Sequence, residues 1–279
     1  LHAIAACLSF VVIDKLLTLF EQKKSKEIAF FSALLFLVSP YQTEVVVWRV
    51  CIQYIVVQIC MMLSILLVLK QEKNYFFASL IVGVVLFIIA LFSIEQAIMI
   101  PFVLLAIVII LRLAKKQNFN QKLFVPLFIM QLIVIAGFFL LSKIFYHKWI
   151  MHYGSQVFTN FISIDTFSRS VKYFLKYIVL IRHWNFNTAD DFYIDISKPI
   201  IFFSLILLVV LFCVFSLIKI RKGNTTFALF LLLMSLYAIS LFPVLQLYYS
   251  TLLFVEGDRL GYISSAFILA ISLCAKTPK

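Results

Sequence analysis

Long apolar blocks alternate with short polar connectors along most of the chain. Each block holds roughly 18–22 residues, the length that an α-helix needs to cross a hydrocarbon core of about 30 Å. Only helices and closed barrels satisfy every backbone hydrogen bond in lipid. The pattern predicts nine membrane-spanning helices, at 1–18, 28–46, 50–69, 75–93, 96–113, 123–142, 199–218, 225–242 and 260–275.

The composition favours a helical membrane protein over a soluble protein or a β-barrel. Hydrophobic residues make up 64% of the 279 positions and charged residues 13%, whereas a soluble domain of this size exposes far more charge. A barrel needs segments in which polar and apolar residues alternate, and no such segment occurs. We therefore expect one all-α domain over 1–279, a polytopic transmembrane bundle.

The basic residues of the short connectors predict the orientation in the membrane. If the connectors after the first, third, fifth and seventh blocks lie in the cytoplasm with the chain end, 15 of the 24 Lys and Arg lie there, against four of the 12 acidic residues. This bias follows the positive-inside rule. Anchoring to anionic lipid accounts for the net charge of +12, and no nucleic-acid partner is needed. We expect an integral protein of the bacterial inner membrane with its active face on the non-cytoplasmic side.

The five cysteines and the first residues of the chain each lead to one further expectation. The cysteines lie in or beside apolar blocks without metal-type spacing, so we expect neither a disulfide framework nor a zinc site. Leu1 opens directly on an apolar block that lacks a cleavage motif, so we expect a fragment rather than a signal peptide with its mature domain. No Walker A, HExxH or dinucleotide fingerprint occurs, which excludes those cofactor chemistries.

The first turn on the predicted outer side carries two charges in an apolar stretch, Glu44 and Arg49. Ionisable groups at this depth are costly and imply a partner or a function. They either form an ion pair that ties two helix ends or contribute to a site. Pro40 is expected to kink or end the preceding helix, so that the Glu44 segment can bend into a cleft.

A second tight outer turn places Glu95 between two apolar runs, with Pro101 behind it. Glu95 is interpreted either as a solvated residue at the loop tip or as a member of a polar site or network. The turn is too short to lift the carboxylate far from the membrane, which favours the second interpretation.

The long outer segment over roughly 143–198 contains a basic stripe and an acidic pair. Arg169, Lys172 and Lys176 share one face of a predicted interfacial helix. The stripe either snorkels to lipid headgroups or binds a lipid phosphate. Asp190 and Asp191 could hold a divalent metal, although capping is the usual role of such residues in a loop. No cofactor is certain from the sequence.

The last outer loop has three charges in four positions, Glu256, Asp258 and Arg259, beside two glycines. An arginine can bind a phosphate through two parallel hydrogen bonds, which a lysine cannot. The alternative is a structural pair between Arg259 and one of the two acids.

Three segments in this order resemble a known family. The run SPYQTEVVVW over 39–48 resembles the HPxxxEAVAW segment of membrane O-mannosyltransferase-like proteins, many of which carry tetratricopeptide repeats. SIEQA over 93–97 resembles their SKExAxxxP turn, and EGDRLGY over 256–262 resembles their AERYxY segment. The resemblance covers nearly the whole chain. It departs from the family pattern at Ser39, Ile94 and Gly257-Asp258.

The resemblance implies a glycosyltransferase of the GT-C class, which moves a sugar from a polyprenyl-phosphate donor to a protein or glycan acceptor outside the cytoplasm. In that class the catalytic aspartate lies in the first outer loop. This loop and the first helix are expected upstream of Leu1, so no catalytic residue is assigned. The resemblance and the charges together nominate substrate-binding residues, namely Glu44, Arg49, Glu95, Lys172, Lys176, Glu256, Asp258 and Arg259.

Three other functions stay open. A transporter or flippase of lipid-linked saccharides would also use an amphipathic groove and interfacial arginines, but transporters usually place polar groups near the midplane. A polymerase or ligase of surface polysaccharide fits the composition. A non-catalytic membrane subunit is the third alternative.

Overall fold

A computed structural model describes most of the chain. The sections below concern the residues that it describes, which are 1–39, 42–47, 49–70, 75–116, 119–147, 199–243 and 261–276. Within these ranges the protein is helical and contains no strand, as the periodicity predicts. The α-helices are α1 His2–Leu19, α2 Ser25–Val38, α3 Thr43–Val47, α4 Ile52–Leu69, α5 Phe76–Ser93, α6 Ile100–Leu113, α7 Gln121–Tyr146, α8 Pro199–Arg221, α9 Thr225–Leu241 and α10 Tyr262–Lys276.

Five helical segments in the described ranges are long and apolar enough to cross a membrane. A helix rises about 1.5 Å per residue, so 18 residues cover nearly the whole hydrocarbon core. The structure therefore supports an all-helical integral membrane protein. The five segments are His2–Leu19, Ile52–Leu69, Phe76–Ser93, Glu95–Leu113 and Gln121–Tyr146.

The predicted second span over 28–46 is wrong as a continuous helix. Helix α2 ends at Val38, and Ser39 is extended with φ −61° and ψ 129°. A residue before proline is driven into this conformation because the proline ring clashes with its helical form, and Pro40 follows. The chain resumes as the five-residue α3, followed by a 3₁₀ turn over Arg49–Cys51. Pro40 thus ends the helix, as expected from the sequence.

The helices pack against one another in a series of pairs. Helix α1 packs on α2 and on α4, and α2 packs on α10. Helix α10 packs on α9, and α9 packs on α6. Helices α4 and α6 bury most of their side chains, whereas α5 and α7 bury only a minority of theirs. The exposed side chains of α5 and α7 are predominantly apolar, which suits contact with lipid rather than with water.

Contacts between distant loops define one end of the bundle, called the basic end below. Lys116, after α6, forms an ion pair with Glu21, after α1. The backbone N–H of Asn120, before α7, donates to the Val68 carbonyl near the end of α4 (2.9 Å). The basic end therefore gathers the ends of α1, α4 and α6 and the start of α7. Three connectors that the charge pattern groups in the cytoplasm meet here.

The close contact between α5 and α7 gives a testable prediction. A β-carbon at Gly83 would lie 2.8 Å from Cδ1 and 3.2 Å from Cδ2 of Leu127. Gly83→Val should therefore lower the free energy of unfolding by about 1–3 kcal/mol, because the buried Leu127 side chain must leave its rotamer or the two helices must move apart. Gly137→Val is the matched control, since a β-carbon there meets nothing within 4 Å. Thermal unfolding in detergent measures both, and equal stability of the two variants would contradict the contact.

Candidate functional site

His2 joins the start of α1 to the end of α2 and the start of α10. Its Nδ1 lies 2.7 Å from the Tyr262 hydroxyl and its Nε2 lies 3.1 Å from the Leu37 carbonyl oxygen. A carbonyl only accepts, so Nε2 carries the proton, and in the neutral ring Nδ1 accepts from Tyr262. The end of the bundle at which His2, Leu37 and Tyr262 lie is called the motif end below.

Aromatic rings pack around this hydrogen bond. The ring centroids of His2 and Tyr262 lie 5.7 Å apart, and those of Phe36 and Tyr262 lie 5.1 Å apart with the planes at 60°. Such tilted and edge-on arrangements are favourable for aromatic pairs. Tyr262 is fully buried, so its hydroxyl needs a partner inside the protein, and His2 supplies it.

A second polar link ties the first turn to α10. The Gln42 amide nitrogen donates to Ser265 Oγ (2.7 Å), and Ser265 Oγ donates to the Tyr262 carbonyl (2.7 Å). The serine has one proton, which goes to that carbonyl, so it can only accept from Gln42. Gln42 and Ser265 are both buried. The segment that resembles the first family motif is thus fastened to the helix that follows the last one.

The turn that carries Glu95 lies at the same end. It forms a 3₁₀ helix over Glu95–Met99 before α6, and α6 runs from there to the basic end at Lys116. The buried Gln96 amide nitrogen donates to the Ser240 carbonyl near the end of α9 (3.0 Å). Since α9 packs on α10, the described residues of the three segments that resemble family motifs lie at the motif end.

The predicted site residues are described to different extents. Glu44 lies in α3, where only its backbone is described, and Arg49 is exposed in the 3₁₀ turn that follows. Glu95 is partly buried at the start of its 3₁₀ helix and makes polar or electrostatic contact there. The other predicted residues lie outside the described ranges, namely Lys172, Lys176, Asp190, Asp191, Glu256, Asp258 and Arg259.

The chain itself limits how far two of these residues can be from the motif end. Arg259 precedes Tyr262 by three positions, so their Cα atoms are at most about 11 Å apart. Glu44 follows Gln42 by two positions, a reach of at most about 7 Å. Both residues are therefore close in sequence to described residues of the motif end.

The sequence argument did not predict His2, Gln42, Gln96 or Ser265 as contributors. Each is a polar residue beside or inside an apolar block, and Gln42 and Gln96 also lie within segments that resemble family motifs. In a membrane helix a polar side chain at such a place usually bonds to a neighbouring helix. All four take part in hydrogen bonds between residues more than 100 positions apart in sequence.

In the described part of the chain, no group of three or more His, Cys, Asp and Glu could hold a metal ion. Comparisons with known proteins add no further assignment: no family model, curated protein or solved structure matched the chain. The sequence motifs and the contacts at the motif end are therefore the observations that bear on function.

Proposed function

We propose that the protein is a membrane glycosyltransferase of the GT-C type. It transfers a hexose from a polyprenyl-phosphate donor to a protein or glycan acceptor. The observation that carries the proposal is the Gln42–Ser265 hydrogen bond, which joins the first motif-like segment to the helix that continues the last one. Gln42 belongs to the first motif-like segment, and Ser265, 223 positions later, follows the last one by three residues.

The chemistry of such a donor matches the motif end. Its lipid chain stays in the bilayer, so the transferase must hold polar groups at the membrane interface beside apolar surface. Negative charge develops on the departing phosphate, and preorganised cations stabilise it. We assign this role to Arg259, with Arg49 and the Lys172 and Lys176 stripe as further candidates.

The carboxylates take the second set of roles. Glu44 and Glu95 orient the donor sugar or the acceptor hydroxyl, and Glu256 and Asp258 are further candidates for substrate binding. A general base near the acceptor hydroxyl is also required, and no residue is assigned to this role. Asp190 and Asp191 remain the candidates for a divalent metal.

The orientation and span count are part of the same proposal. We place the motif end on the non-cytoplasmic side of a bacterial inner membrane and infer nine spans. Support comes from the opposite end, where the Lys116–Glu21 pair and the Asn120–Val68 hydrogen bond bring basic connectors together. Basic connectors mark the cytoplasmic side of membrane proteins.

Transfer of labelled sugar tests the proposal directly. Membranes that express the complete native reading frame are supplied with a panel of polyprenyl-phosphate sugars, and label in protein or glycan is counted. We expect transfer from at least one donor, and a large loss of transfer in Arg259→Ala. Absence of transfer from every donor, with the protein present in the membrane, would contradict the proposal.

A flippase or transporter of lipid-linked saccharide is the second candidate. Two buried glutamines favour it, because Gln58 in α4 and Gln131 in α7 place amides well inside membrane helices, where transporters keep polar groups. Reconstituted vesicles decide between the two candidates. Movement of donor lipid between leaflets without sugar transfer would favour the transporter.

A further inference from the structure

In each of four hydrogen bonds at the motif end, one group is the donor and the other is the acceptor when His2 is neutral. The His2 Nε2–H donates to the Leu37 carbonyl, and the Tyr262 hydroxyl donates to His2 Nδ1. Gln42 donates to Ser265, and Ser265 donates to the Tyr262 carbonyl. Both lines of bonds converge on Tyr262. They join α1, the end of α2, the residue before α3 and the start of α10.

Two of these bonds fix the rotation of α10 about its own axis. Tyr262 and Ser265 are three positions apart, so they lie on the same face of the helix. One is held by His2 and the other by Gln42. Hydrogen bonds are directional, so a rotated helix could not keep both, whereas apolar contacts alone would tolerate some rotation.

We propose that His2, Gln42, Tyr262 and Ser265 form a polar clasp that positions the start of α10 relative to the start of α1 and to the segment that begins at Gln42. The inference rests on the proposed function for its catalytic consequence but not for its structural one. In that consequence the four are positioning residues, which act on sugar transfer through the placement of the helix ends that they join.

The structural consequence is tested by hydrogen exchange on the complete protein in lipid nanodiscs. Tyr262→Phe removes the bond to His2, and Ser265→Ala removes both the bond from Gln42 and the bond to the Tyr262 carbonyl. In both variants we expect about ten-fold faster exchange in the first two turns of α10, since fewer bonds hold it closed. Ser264→Ala is the matched control, because Ser264 is buried beside Ser265 and, within the described residues, donates to the Gly261 carbonyl just before α10 (3.0 Å). Equal exchange in all variants would overturn the clasp.

The catalytic consequence is tested by transfer kinetics on the same proteins. A small misplacement of binding groups lowers the rate of the bound complex, so kcat should fall about 10- to 100-fold in Tyr262→Phe and Ser265→Ala. KM for the polyprenyl-phosphate donor should change less than about twofold, because the binding groups remain. Ser265→Thr, which keeps the hydroxyl, should restore kcat, and Ser264→Ala should match the wild type.

Hydrogen exchange and transfer kinetics together test the clasp and the proposed function separately. Faster exchange in the clasp variants with unchanged kcat would overturn the positioning role. Faster exchange together with no transfer by the wild type would overturn the proposed function while retaining the clasp as a structural device.

Discussion

Replacing Arg259 by alanine should reduce sugar transfer by about 100-fold or more and leave the protein folded. Removing one preorganised group that stabilises developing charge typically costs this much. Arg259 lies three positions before Tyr262 in the sequence, next to the start of the helix that the clasp holds. Arg259→Lys should recover part of the rate, since an ammonium keeps the charge but cannot bind a phosphate through two parallel hydrogen bonds. Initial rates with saturating donor measure both variants.

Arg221→Ala is the control for a general effect of lost positive charge. Arg221 lies in the last turn of α8, on a connector that we place at the cytoplasmic face. Its transfer rate should equal that of the wild type. Wild-type transfer by Arg259→Ala would remove Arg259 from the site, and an equal loss in both variants would indicate an effect on membrane insertion instead.

Replacing Gln131 by leucine should raise the free energy of unfolding by about 1–3 kcal/mol. The side chain is fully buried in α7, and neither its amide nitrogen nor its oxygen has a hydrogen-bond partner in the part of the chain that the structure describes. An unsatisfied buried polar group costs about 1–3 kcal/mol, and leucine has a similar volume, so packing is retained. Thermal unfolding in the same detergent measures the change.

Gln58→Leu is the matched control for that prediction. Gln58 is also fully buried, but its amide nitrogen donates to Ser9 Oγ of α1 (3.3 Å). Replacing Gln58 by leucine removes this hydrogen bond, so the gain in the free energy of unfolding should be absent or much smaller. A gain of the same size in both variants would show that hydrophobicity alone sets the stability. No gain in Gln131→Leu would show that its amide is satisfied in the membrane.

The helices were largely predictable, because their signal is local. The predicted spans at 50–69 and 75–93 agree with α4 and α5 within two residues at each end. Asn120 and Asn224 cap α7 and α9 with their side-chain oxygens, a role typical of asparagine. The error at 28–46 came from reading an apolar run through Pro40, whose effect on Ser39 is a steric rule.

The candidate site was predictable only in part. The sequence predicts Glu44, Glu95 and Arg259 on the same side of the membrane, because Glu95 and Arg259 lie between predicted spans and Glu44 lies near the outer end of one. It does not show which spans are neighbours in the bilayer. Since many arrangements bury the same apolar helices in lipid, hydrophobicity does not select among them. His2 was consequently included in the predicted span 1–18 without a role of its own.

Length and hydropathy alone therefore determined that this protein is helical and embedded in a membrane, because a chain in lipid must satisfy its backbone hydrogen bonds within each segment. The tertiary structure decided which helices meet. The bond between His2 and Tyr262 joins residues 260 positions apart, and no periodicity encodes such a pairing. It depends on directional hydrogen bonds that form only after the helices have packed.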